Sequence, residues 1–158
     1  MKRKALRLLA IDLSAKGFGF VLLDARLGLL DWGFSPFRAN DDDAFIDRVS
    51  VRIDRGRPTA LVLENLSPNE GRETAIRRQG LACRLAKERR IGICQVSQKV
   101  VQGILGPATK IEMARILAAR FPELISRFPR ARLRWTSEDE RMNIFDALAL
   151  ALAVLRPE

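Results

Sequence analysis

The chain has 158 residues, 47% of them apolar and 30% charged, with a net charge of +9, two cysteines and no histidine. A chain of this length makes one domain that buries roughly two thirds of its unfolded surface, and it contains no apolar run near the ~18 residues of a membrane span. Without histidine, Ser-His and Cys-His catalysis and the usual zinc sites are excluded, which leaves carboxylates, lysines and hard metal ions as the available chemistry.

The basic start, Met1-Lys2-Arg3-Lys4, precedes an apolar run that Arg7 interrupts and Asp12 stops, which argues against a signal peptide and predicts a cytoplasmic protein. Cys83 and Cys94 read as neutral or buried thiols. The excess of Lys and Arg points to an anionic partner, nucleic acid being the commonest.

Leu6 to Leu13, Phe18 to Asp24 and Gly28 to Phe37 read as three strands of an antiparallel meander, with Ala25 to Leu27 as a short hairpin connection. The first strand ends on Asp12, a carboxylate that is costly to desolvate at the end of a core strand unless it is paired or holds a cation. Asn40 to Asp43 then offer an N-cap and an acidic first turn. Phe45, Val49 and Ile53 follow at helical spacing until Gly56 and Pro58 stop the helix, so capping explains the Asp triplet better than metal binding does.

Thr59 to Leu66 is a second core strand that carries an acid, Glu64, near its carboxyl end. In an open sheet ligands collect at the carboxyl ends of parallel strands, so Asp12 and Glu64 lie side by side if their strands are neighbours. Pairing of Glu64 with an arginine at a sheet edge is an equal alternative. The polar stretch Ser67 to Arg72 is a loop, and a basic amphipathic helix follows over Glu73 to Arg89, bearing Arg77, Arg78 and Arg84. Such a helix serves as a solvated face, a dimer contact or a nucleic-acid surface, and its residues do not choose among these.

Ile91 to Val96 is a third short apolar strand. The segment from Ser97 to Lys110 includes Lys99 and a Gly-Pro loop, after which Thr109 and Glu112 form a capping-box pattern and an apolar face runs to Phe121 and Pro122. Lys110 thus falls in the first turn of a helix, where it opposes the dipole; a nearby phosphate gives it a reason, and so does plain exposure. Pro122 to Trp135 is a connector with scattered arginines. Ser137 and Glu140 form a second capping-box pattern that opens an Ala/Leu-rich terminal helix, on which Asp139, Asn143 and Asp146 share one face.

At this point four stretches together resemble the RuvC-type Holliday junction resolvases. Ile11-Asp12-Leu13-Ser14 with Gly17-Phe18-Gly19 looks like the family's first-strand motif, and Leu61-Val-Leu-Glu64-Asn like its second-acid strand. Lys99 with Gly106-Pro-Ala-Thr-Lys110 resembles its basic segment. Asn143-Ile-Phe-Asp146-Ala-Leu-Ala resembles its terminal Asp-x-x-Asp-Ala-x-Ala helix. The resemblance implies an α/β, ribonuclease H-like fold: a mixed five-stranded sheet with helices on both faces, forming a single nuclease domain over residues 1–158.

It further implies a homodimeric endonuclease that nicks four-way or other branched DNA, using Mg²⁺ or Mn²⁺, two ions with substrate bound. Asp12, Glu64 and Asp146 correspond to metal ligands with Asn143 in the place of a fourth acid, and Lys110 to a catalytic cation. Lys99, Lys110, Arg72, Arg77, Arg78 and Arg84 would contact nucleic acid. Two features depart from the family: Asn143 itself, and the absence of aromatic residues in the loop after Glu64. A YqgF-like nuclease acting on RNA and a junction-binding module of weakened catalysis are the alternatives.

Overall fold

The computed structural model describes residues 5–66, 73–106, 109–129 and 140–155. β1 (Arg7–Ser14), β2 (Gly17–Asp24) and β3 (Leu29–Pro36) form the expected antiparallel meander. β4 (Ala60–Glu64) lies parallel to β1 on its other side, and β5 (Gly92–Val96) parallel to β4. The result is a five-stranded mixed sheet in the order β3-β2-β1-β4-β5. The β2 to β3 hairpin is set by Asp24, whose Oδ1 accepts from the backbone N–H groups of Arg26 (2.9 Å) and Gly28 (2.8 Å).

The strands alternate, and the alternation sorts the core into two halves. Leu8, Ala10, Val21, Leu23 and Val62 point to one face, under α4 (Lys110–Arg120) and α5 (Arg141–Leu155). Leu9, Ile11, Phe18, Phe20, Leu61 and Leu63 point to the other, under α1 (Asp42–Gly56) and α2 (Glu73–Glu88). Strands covered on both faces carry continuous apolar runs, which is why β1 and β4 look so alike in sequence. On α5 every residue from Ala147 to Ala153 is buried. Side chains such as Phe145, Leu148 and Leu152 each contribute roughly 1.5–3 kcal/mol on burial and fix the helix against the sheet.

Capping follows the sequence. Asp41 caps α1 by accepting from the Ala44 N–H at 2.9 Å, and Thr109 with Glu112 forms a full capping box on α4. Three details differ from expectation. The β4 strand ends at Glu64, short of Leu66. Ser97 caps a separate helix, α3 (Gln98–Leu105), where only a basic segment was foreseen, and its Oγ accepts from Val100 N–H at 3.3 Å. Pro122–Arg127 in the connector winds into a 3-10 turn. The expected loop at Ser67 to Arg72, with Arg72, and the positions Ser137 and Asp139 lie outside the described residues. Among the described residues no helix is long and apolar enough to cross a membrane.

Candidate active site

Asp12 stands two residues after Ala10, so the strand alternation turns it toward the α5 face. Its neighbour across the β1–β2 ladder is Gly19. A Cβ on Gly19 would lie 2.2 Å from the backbone carbon of Asn143 and 2.4 Å from its carbonyl oxygen. Glycine is therefore what lets the first turn of α5 settle onto the sheet beside Asp12. The Asn143 amide then donates from Nδ2 to Asp12 Oδ2 at 2.7 Å. Asp146, three residues on, keeps to the same side of the helix, and Lys110 Nζ at the start of α4 reaches its Oδ2 at 3.5 Å.

Glu64 arrives from the carboxyl end of β4, the parallel neighbour of β1. Two glutamines hold it. Gln98 Nε2, in the first turn of α3, donates to Glu64 Oε1 at 3.1 Å, and the buried Gln79 of α2 donates to the Glu64 backbone carbonyl. Asp12 senses the other two acids. Burial raises the Asp12 carboxyl well above the usual carboxylate range, and the negative charges of Asp146 and Glu64 raise it further, while the Asn143 hydrogen bond and the Lys110 charge pull it down.

A pocket of mutually repelling carboxylates is chemically suited to a divalent cation, because hard oxygen donors match Mg²⁺ and Mn²⁺. Among the described residues no group of three or more His, Cys, Asp or Glu stands ready-made around one point. Mg²⁺ does not require one, since it is usually held by one or two carboxylates with water and substrate phosphates. The donor set fits such an ion.

The basic residues divide. Lys110 belongs to the acid cluster, and Lys99 is exposed on α3 beside Gln98. Arg84 is exposed on α2. Arg77 is exposed too but forms a two-pronged pair with Asp42, at 2.9 and 3.2 Å. Arg78 corrects the expectation of a nucleic-acid contact: it is 1% exposed. Its guanidinium meets Asp42 at 3.3 Å, donates to the Ala39 carbonyl and lies 4.8 Å from the centre of the Phe37 ring. It joins α2 to α1, so a helical wheel that counts it as surface is wrong by one face.

Gln98 and Gln79 are the site neighbours that sequence reasoning missed. Ser97 followed by Val100, Val101, Ile104 and Leu105 was the available signal, an N-cap ahead of a helical period that places Gln98 in the first turn.

With this geometry in place, solved structures supply the comparison. The chain matches Thermus thermophilus RuvC in complex with a Holliday junction substrate at a TM-score of 0.70 and 18% identity, over 94% of this chain and 91% of that one. The fold is that of the RuvC-type resolvases. The yeast mitochondrial Holliday junction resolvase matches at 0.65 and 12% identity, covering 96% of this chain and 78% of its own. Fowlpox virus resolvase, in complex with its substrate Holliday junction DNA, matches at 0.60 and 11%, over 95% and 97%. At these identities what is shared is the resolvase fold, an α/β arrangement around a mixed five-stranded sheet. No protein-family model matches the chain, and no curated protein does.

Proposed function

We propose that the chain is a Mg²⁺- or Mn²⁺-dependent endodeoxyribonuclease of the cytoplasm that resolves four-way or other branched DNA by paired nicks from a homodimer. What supports this reading is the placement of Asp12 near the end of β1, Glu64 at the end of the parallel neighbour β4, and Asp146 on α5, whose Asn143 bonds Asp12 and whose Asp146 meets Lys110. The shared fold of junction resolvases supports the substrate class.

In this reading Asp12, Glu64 and Asp146 hold the metal, and Asn143 adds an amide oxygen where a fourth acid would stand. When bound, the divalent ions supply an activated water and neutralise charge on the scissile phosphate. The remaining work belongs to the chain. Lys110, fixed against Asp146, brings a positive charge to the place where phosphate charge develops. Gln98 orients the Glu64 carboxylate and Gln79 anchors its backbone. Arg77, Arg84 and Lys99 contact the backbone of the substrate without reading bases, and a dimer matches the two-fold symmetry of a junction.

The test is to incubate the protein with labelled four-way junction, linear duplex and RNA, each with Mg²⁺, Mn²⁺ or EDTA, beside Asp12→Asn. Symmetric, metal-dependent nicks confined to the junction and lost in the variant are the expected result. Cleavage of RNA alone overturns the substrate class. A second reading, a junction-binding module without catalysis, is favoured by Asn143 and by the protein donors already engaged with each acid. Tight junction binding with no cut in either metal is the outcome that selects it.

A further inference from the structure

A second feature of the molecule lies outside the acid cluster. β3 is one of the two edge strands of the sheet, and α1 runs beside it. Between them opens a cleft of about 400 Å³, whose walls include Phe34 and Pro36 from β3 and Arg48, Val51, Arg52 and Arg55 from α1. The three arginines stand at i, i+4 and i+7, one stripe of the helix next to the buried stripe of Phe45, Val49 and Ile53. No lining residue is acidic.

The arginines are held to different degrees. Arg52 is fixed: its guanidinium lies 4.4 Å from the centre of the Phe20 ring, and Nη1 meets Asp31 at 3.3 Å, while Nε is buried with no hydrogen-bond partner among the described residues. Arg48 is exposed and donates from Nε to the Pro36 carbonyl, at 3.3 Å. Arg55 is exposed in the last turn. A cleft with three guanidinium groups and no acidic residue in its lining is short of negative charge, and guanidinium forks suit phosphate oxygens.

Along the strands the Phe34 end of the cleft is level with Asp12, because Phe34 is in register with Gly19 and Gly19 with Asp12. Its arginines stand on the opposite face of the sheet from α5 and run from there toward the start of β1, where Arg52 meets Asp31 and Gly56 meets Arg7. Strand addition by a peptide is poorly served there, because Pro36 ends the edge and the β2–β3 ladder shifts register between Leu22 and Leu23. We infer that the β3–α1 cleft is a second backbone-binding site, taking the phosphodiester backbone of a nucleic-acid duplex along the β3 edge, on the face of the sheet away from Asp12. This inference rests on the nuclease reading above.

Arg48→Ala/Arg55→Ala tests it, since both side chains are exposed and Arg52 keeps its place. Junction affinity is measured in EDTA across a salt series, and single-turnover cutting in Mg²⁺ at saturating protein. The expected result is a slope of log K against log salt reduced by about 1.8, and binding weakened on the order of tenfold or more near 0.1 M salt. The saturated cutting rate stays within about twofold of the parent. Arg48→Lys/Arg55→Lys keeps the charge and so restores the slope, which separates phosphate binding from packing. If the double alanine variant does not fold, Arg55→Ala alone lowers the slope by about 0.9. A parent that cuts junctions while the alanine variants keep its slope overturns the cleft and leaves the nuclease standing. A parent that neither binds nor cuts DNA overturns both.

Discussion

Asp12 shows how much one side chain is asked to tolerate. Burial and two negative neighbours oppose its ionisation, only partly offset by the Asn143 hydrogen bond and the Lys110 charge, so holding it charged in the metal-free fold carries a cost that a bound cation would relieve. Asp12→Asn removes that cost and keeps an acceptor for the Asn143 amide. The variant is expected to be inactive and, in EDTA at pH 7, more stable by about 1–2 kcal/mol, read by thermal or urea melting. Asn143→Asp does the reverse: it adds a fourth negative charge, lowers stability in EDTA, enlarges the upward Tm shift on adding Mg²⁺, and keeps or raises cutting. A sharp loss of cutting with the fold intact would remove Asn143 from the ligand set. Away from the site, the Arg77 hydrogen bond, followed by Arg78, lowers the Asp42 carboxyl below its ordinary value. A lowered folded-state pKa stabilises above the unfolded value near 3.8 and is lost as pH falls through the folded one. Asp42→Asn therefore costs about 2 kcal/mol at pH 7, because it strips the buried Arg78 of its counter-ion, and the gap from the parent closes as pH drops below about 4. A gap that stays constant between pH 7 and pH 3 would show that the ion pair does not carry it.

Among the elements, those with strong local signals were legible in the chain. The two-sided strands β1 and β4, the Asp41 cap and the Thr109–Glu112 box all rest on patterns within a few residues, and each stands within two residues of its expected place. What was hidden depends on distant partners. Arg78 looks like one more basic residue until Asp42 and the Phe37 ring come to meet it. Helix α3 is short and interrupted by Gly103, so its period hardly rises above that of a loop. Gly19 was visible as part of a motif, but its reason lies on α5. Gly19→Ala forces a methyl against the Asn143 backbone, and the helix must lift. The expected cost is about 1–3 kcal/mol in melting, the overpacking range, with a loss of cutting far larger than the stability loss explains. Full activity in Gly19→Ala would show that α5 does not need its close seat.

For the molecule as a whole, the net charge of +9 has a function only if the positive groups line a common path. Arg78 is withdrawn from such a path and Arg77 is shared with Asp42, so on the proposed reading the contacts to nucleic acid would fall to the exposed Arg84, Lys99 and the β3–α1 cleft. Junction binding is expected to fall steeply with salt and to survive EDTA, whereas cutting stops in EDTA and returns with added Mg²⁺. Cutting that persists in EDTA would remove the metal from the chemistry. The acids themselves are far apart in the chain. Asp12 and Glu64 belong to its first half, while Asn143 and Asp146 ride on α5, the helix that also fills one side of the core. A ribosome therefore exposes the first two acids well before the helix that unites them exists. On the nuclease reading, the step that completes the hydrophobic core is the same step that completes the site.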